Sequence, residues 1–305
     1  MFKNRKIICL LLAVFVGSFI LLGGCSSEEG GEPQQSKGEV VVASKQYAEG
    51  YILGHMAAIL IEEKTDLEVD KSKIGMGATE ILHPAMVEGQ IDLYPEYTGT
   101  SWMVVLKQPV LHDREEIYEK TKKSYEEEFN IACLPPLGFN NTFAIAMIKE
   151  KAEELNIKTL SDLAEHPGLT LVGDSTTWTR PDVYPGLQKE YGLDLEKKMV
   201  DTNFFYEALA QGQGDVTTCF STDGRLKEYD LTVLEDDKNF YPHYDGMYVV
   251  RAEVLEEFPE IEEALKPLFG NIDEETMIGL NYQVEVEQKD PVDVAREFLE
   301  SQNLI

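Results

Sequence analysis

Short apolar runs alternate with amphipathic stretches along almost the whole chain. Residues 39–45 (EVVVASK) have the continuous apolar character of a buried strand. Residues 48–64 (AEGYILGHMAAILIEEK) place Ile52, Leu53, Met56, Ile59 and Leu60 at helical spacing. The stretch 77–89 (GATEILHPAMVEG) predicts a helix interrupted at Pro84, leading into a strand, IDLYPEY, that ends at Tyr97. Residues 112–129 (HDREEIYEKTKKSYEEEF) read as a charged, exposed helix. Further strands are expected at 143–147, 169–174, 198–204, 214–220, 231–237 and 247–251. Helices begin near Ser161 and Pro181, and the last residues are mainly helical, with Pro291 at a first helical position. This alternation predicts an α/β protein with largely parallel sheets.

Two of these strand ends echo each other. EGQIDLYPEYTGT (88–100) and QGQGDVTTCFSTDG (211–224) align without a gap, matching Gly89 with Gly212, Asp92 with Asp215, Tyr97 with Phe220 and Thr98 with Ser221. A chance match of common strand and turn residues would give the same pattern. If the echo is structural, two α/β lobes present an aromatic ring at equivalent carboxyl strand ends, where open α/β sheets bind their ligands. Asp92 and Asp215 read as turn or cap carboxylates.

The N-terminus concerns location. Lys3, Arg5 and Lys6 precede an apolar run from Ile7 to Leu22, which is short for a membrane span, and LGGC ends at Cys25. Residues 1–24 are expected to be a secretory signal whose end resembles a bacterial lipobox, with Cys25 acylated; the alternative is an uncleaved N-terminal anchor. Either places the remainder on the extracytoplasmic side of the membrane. Residues 25–38, rich in Ser, Gly, Glu and Gln, read as a flexible tether. The rest is long enough for two domains of ordinary size.

The formal net charge of −29, about −32 without the three leading cations, excludes a nucleic-acid binder, which needs a basic stripe. Cys133 and Cys219 lack CxxC spacing and read as buried thiols, with a disulfide between them the alternative. The sequence carries no GxSxG, GxxxxGK[ST], GxGxxG or HExxH motif, and its five histidines stand at no metal-ligand spacing. No cofactor and no enzymatic activity is expected; a surface hydrolase or transferase would need a nucleophile–base motif that is missing.

Aromatic residues instead gather at strand ends and turns: Tyr94 and Tyr97, Phe143, Phe220, Tyr241 and Tyr244. Such rings can enclose a quaternary ammonium, which donates no N–H and prefers ring faces, at about 0.5–2 kcal/mol per ring. Lys45 and Arg180, at a strand end and a helix start, can hold a carboxylate; the alternatives are a solvated strand-end charge for Lys45 and an interlobe salt bridge for Arg180. Trp178 is open between cleft wall and core.

The segments ASKQYAEGYILGHMAAILIEE, IDLYPEYTGT, LGFNNTFAIAM and FSTDGRLKEYDLTVLEDD…FYPHYDGMYVVR resemble the glycine betaine/choline (OpuAC/ProX-type) substrate-binding proteins of ABC transporters, across essentially all of 39–305. The resemblance implies a two-lobed, type II periplasmic-binding-protein-like clamp with a hinge and an interlobe ligand cleft. Lobe 1 would comprise 39–140 plus 245–305 and lobe 2 141–244. It further implies an aromatic cage at Tyr97, Phe143, Phe220 and Tyr244 and carboxylate contacts at Lys45, Thr100 and Arg180. Phe143 and Phe220 stand where reference members carry Tyr. The implied protein is a monomeric, lipid-anchored receptor that takes glycine betaine, carnitine or proline betaine to a membrane ABC permease and ATPase. A bulkier betaine such as ergothioneine, or choline, is the alternative ligand.

Overall fold

The computed structural model describes residues 38–305. The expected signal sequence, Cys25 and the tether up to residue 37 lie outside the described residues. Ten strands form two five-stranded sheets. The first holds β1 (Glu39–Ala43), β2 (Glu68–Lys73), β3 (Leu93–Tyr97), β4 (Ile131–Cys133) and β10 (Gly246–Arg251), in the order β2-β1-β3-β10-β4. The second holds β5 (Phe143–Ile148), β6 (Thr170–Gly173), β7 (Glu196–Met199), β8 (Val216–Phe220) and β9 (Leu231–Val233), in the order β7-β6-β8-β5-β9. Both sheets are mixed: β10 runs antiparallel to β3 and β4, and β5 antiparallel to β8 and β9. The two orders superpose, so the sheets have the same topology.

That equivalence explains the echo between 88–100 and 211–224. Gly89 and Gly212 both take left-handed backbone, φ 71° and 69°, which only glycine adopts without steric cost. Each ends a helix and sends the chain into a central strand. Asp92 and Asp215 then tie that strand to its parallel neighbour. Val41 N–H donates to Asp92 Oδ2 at 2.9 Å and Thr170 N–H to Asp215 Oδ2 at 2.6 Å. Arg251 and Lys151 balance the two carboxylates. Gly-x-x-Asp is therefore a structural device, repeated because the sheet is repeated.

Each sheet is covered on both faces. On the first, one face packs under the helix Ala48–Lys64 and the C-terminal helices around Ile52, Leu60, Tyr248 and Leu299. The other face buries Tyr94, Tyr125, Met86 and Met247. The second sheet is sandwiched likewise, around Leu171, Tyr184 and Leu187 on one side and Val172, Tyr206 and Leu209 on the other. Cys133 and Cys219 are free, buried thiols, one in each sheet, and burial raises both well above the ordinary thiol range.

Some local expectations differ from what forms. The helix Thr79–Val87 runs through Pro84, since in nine residues the missing N–H removes a single internal bond. The strand expected over 198–204 stops at Met199, because the Asp201 side chain accepts from Asn203 N–H and opens a short 3₁₀ turn, Thr202–Phe204. Directly after Tyr97 the chain enters a helical segment from Thr98 to Val105. The edge strands β2 and β4 were hidden by their polar or very short sequences.

The chain passes between the sheets in two neighbouring segments, which are bonded to each other. Asn140 and Asp245 form an antiparallel bridge. Asn141 N–H donates to Tyr244 O at 3.0 Å, and Tyr244 N–H to Asn140 Oδ1 at 2.7 Å. Arg114 Nη2 lies 2.7 Å from Asp245 Oδ1, countering a carboxyl group that burial pushes upward. These crossings hold the residues that precede Phe143 and follow Phe240, and so aim the rings described next.

Candidate functional site

The carboxyl ends of β3 and β8, and the amino ends of β10 and β5 that run antiparallel beside them, deliver side chains to one cavity of about 540 Å³ between the sheets. Tyr97 ends β3, Phe220 ends β8, Phe143 opens β5 and Tyr244 lies two residues before β10. Six of the seven residues expected from sequence line this cavity: Lys45, Tyr97, Thr100, Phe143, Phe220 and Tyr244. Phe143 and Phe220 are cross-strand partners, with ring centroids 4.8 Å apart and planes tilted by 32°. Phe220 is 50% exposed, which a core ring would not be. Gly99 makes the fourth ring possible. A Cβ there would stand 2.6 Å from His243 O and 2.7 Å from Tyr244 Cδ1, so only glycine lets the Tyr244 ring lie against the turn after β3.

Tyr97 sits at the centre of a buried network. Its hydroxyl donates to Glu49 Oε1 and accepts from the Tyr47 hydroxyl. Glu49 is 1% exposed and accepts also from Asn141 Nδ2 and Asn281 Nδ2, both at 3.0 Å. Burial, and then the Glu49 charge, raise the Tyr97 and Tyr47 phenols well above their usual value, so both remain protonated donors. Gly50 lets this arrangement close: a Cβ there would meet Lys45 O at 2.6 Å.

The cations near the cleft already have carboxylate partners. Lys45 Nζ pairs with Glu96 Oε1 and lies 4.5 Å above the Tyr97 ring. Glu96, fully buried, also accepts from Thr79 Oγ1 and Tyr97 N–H, each at 2.8 Å. Arg180 stands beside the cavity rather than in its lining, its guanidinium carbon 5.4 Å from the Phe143 ring centre and its fork held by Asp182. Arg225 pairs with Asp223 at 2.6 Å. Trp178 packs on the core beside the second sheet, edge-on to Tyr184 at 5.5 Å, and lines none of this cavity.

Sequence reasoning missed part of the lining: Tyr47, Glu49, Asn281 and Glu285 stand here too. Glu49 and Asn281 sit on the helices Ala48–Lys64 and Glu274–Glu285, where each reads as an ordinary polar position; only a buried environment marks them. Nothing in the IDLYPEY sequence marks Glu96 as the Lys45 partner. Among the described residues no cluster of histidine, cysteine and carboxylate side chains is arranged to hold a metal ion.

A family model described as the substrate-binding domain of the ABC-type glycine betaine transport system matches residues 38–301. The carnitine transport binding protein OpuCC of Listeria monocytogenes serotype 1/2a (strain 10403S) is 31% identical over 304 residues, 98% of each chain. The ergothioneine transport permease/ergothioneine binding protein EgtU of Helicobacter pylori (strain G27) is 40% identical over 263 residues. That match takes in 86% of this chain but spans about half, 47%, of the relative. A crystal structure described as a glycine betaine/carnitine/choline ABC transporter superposes with a TM-score of 0.81 at 33% identity, covering 87% of this chain and 99% of that one.

Proposed function

Since the chain belongs to the family of substrate-binding domains of ABC-type glycine betaine transport systems, a family of receptors and not of enzymes, we propose that its interlobe cleft captures a quaternary-ammonium osmoprotectant for import. The observation that carries this is the convergence of Tyr97, Phe143, Phe220 and Tyr244 on one cavity from both sheets. Ring faces supply the attraction for a methylated cation, and no acid–base pair is needed. Thr100 offers a hydroxyl to the ligand carboxylate. Lys45 and Arg180 reach it only by sharing or exchanging their Glu96 and Asp182 partners.

Capture closes the clamp. Lobe 1 (39–140 plus 245–305) and lobe 2 (141–244) turn about the paired crossings at Asn140 and Asp245, and the ligand favours the closed state because it touches rings of both lobes. Substrate-binding proteins of ABC importers work outside the cytoplasmic membrane. Acylated Cys25 would tether this monomer there, beside its permease and ATPase, through residues 25–38.

Glycine betaine, carnitine and proline betaine are the first candidates. The 40% identity to a protein named for ergothioneine supports a second reading, a bulkier betaine in the same cage. Calorimetric titration with these four and choline decides among them. Saturable binding of at least one is expected; heat of dilution alone for all five would end the proposal.

A further inference from the structure

Beyond the hydroxyl of Tyr97 the cleft changes from rings to acceptors. Glu49, Asn281, Glu285 and the Asp223–Arg225 pair line this end. Arg225 gives Nε and Nη2 to Asp223 at 3.0 and 2.6 Å, and the Tyr206 hydroxyl donates to the same carboxylate at 2.8 Å. Asn281 is 3% exposed. Its Nδ2 is fixed on Glu49 Oε2 at 3.0 Å and on Thr222 O at 2.8 Å, which sets the amide's orientation. Its Oδ1 then accepts no hydrogen bond from any described residue. A buried amide oxygen without a donor is costly unless something completes it.

Glu285 adds a further acceptor, taking the Gly224 N–H through Oε2 at 3.0 Å. The helix Glu274–Glu285 carries both Asn281 and Glu285, and it is pressed against lobe 2 where a Cβ on Gly224 would lie 2.4 Å from Tyr282 N. The wall therefore bridges the lobes: one Asn281 amide holds Glu49 from the first and Thr222 from the second. Three carboxylates, Glu49, Asp223 and Glu285, stand here against one guanidinium, Arg225, which is bonded to Asp223, so the wall disfavours a ligand carboxylate.

We infer that this wall is a second subsite, which takes a hydrogen-bond donor, N–H or O–H, that the ligand carries away from its quaternary nitrogen. The inference rests on the cage reading and narrows it. The methylated nitrogen sits in the rings, and a ring N–H or hydroxyl completes Asn281 Oδ1 and Glu285. Glycine betaine carries no such donor; carnitine carries a hydroxyl and ergothioneine a ring N–H. Burial, and then the Asp223 charge, push the Glu285 carboxyl up to about 7, against partial relief from the Gly224 N–H and Arg225, with Glu49 acting in the raising direction. A donor bound to Glu285 favours its ionised form. Donor-bearing ligands therefore bind more tightly as pH rises through that value, and glycine betaine does so less.

The test is calorimetry of the full chain with glycine betaine, carnitine and ergothioneine at a pH about one unit below and one unit above neutrality, with Glu285→Gln in parallel. At the higher pH the better donor-bearing ligand should bind at least about tenfold more tightly than glycine betaine. Glu285→Gln should shrink that ratio and flatten its pH dependence, while circular dichroism shows the fold kept. Glycine betaine binding most tightly, or a ratio untouched by Glu285→Gln, overturns the subsite and leaves the cage standing. Failure of these three while proline betaine or choline binds overturns the subsite alone; failure of all five overturns both.

Discussion

Tyr97→Ala is expected to raise the dissociation constant for the bound quaternary amine at least about 30-fold, the value of one well-desolvated cation–π contact. Two roles end together in that variant. The ring face leaves the proposed cage, and Glu49, 1% exposed, loses the phenol that donates to it. Two further variants separate these roles. Tyr97→Phe keeps the face and removes the donor, so most binding should remain. Tyr97→Leu keeps apolar bulk without a π face, so binding should be lost as in Tyr97→Ala. Calorimetry on the three variants, each checked for a cooperative thermal transition, reads the outcome. Equal affinity for the Leu and Phe variants would remove the ring face from the account.

The second large effect concerns stability. Glu96→Ala is expected to lower the free energy of unfolding by about 3–5 kcal/mol, the usual cost of leaving one charge of a buried pair alone. Glu96 is fully buried, and its carboxylate receives Lys45 Nζ, Thr79 Oγ1 and Tyr97 N–H. Removing it strands an ammonium group that is only 10% exposed. The double variant Lys45→Met/Glu96→Leu should recover much of the loss, because two apolar side chains need no partner. Urea unfolding of the three proteins measures this. A loss below about 1 kcal/mol in Glu96→Ala would mean that the pair behaves like a surface salt bridge.

Sequence and structure agree where a signal is local or repeated. The strands around Val40, Ile145 and Val249 were legible because buried strands are continuous apolar runs. Pro291 was legible as a helix start, with Asp290 accepting from Val292 N–H. The echo of Gly89-x-x-Asp92 at Gly212-x-x-Asp215 disclosed the duplicated sheet, since both copies solve the same turn-and-tie problem. The aromatic lining was legible because Tyr97, Phe143 and Phe220 stand at strand ends, where a core ring is out of place.

What was not legible depends on long-range burial. Glu49 and Asn281 meet across 232 positions of sequence, and nothing local marks either as a partner. The carboxylate partners that Lys45 and Arg180 hold are invisible in one dimension. Glu96 lies 51 residues from Lys45, and Asp182, two residues from Arg180, gave no sign of which way it would point. The antiparallel members of each sheet were missed for a similar reason, as a buried strand has the same pattern in either direction.

The central claim is that rings attract a charge and not merely a shape. The direct measurement is the affinity of the tightest-binding quaternary amine against that of its carbon isostere, in which a tert-butyl group replaces trimethylammonium at nearly equal size. Cation–π attraction from several rings predicts that the isostere binds at least about tenfold more weakly. Equal affinities would contradict the account and leave Tyr97, Phe143, Phe220 and Tyr244 as an apolar cleft with no preference for a cation.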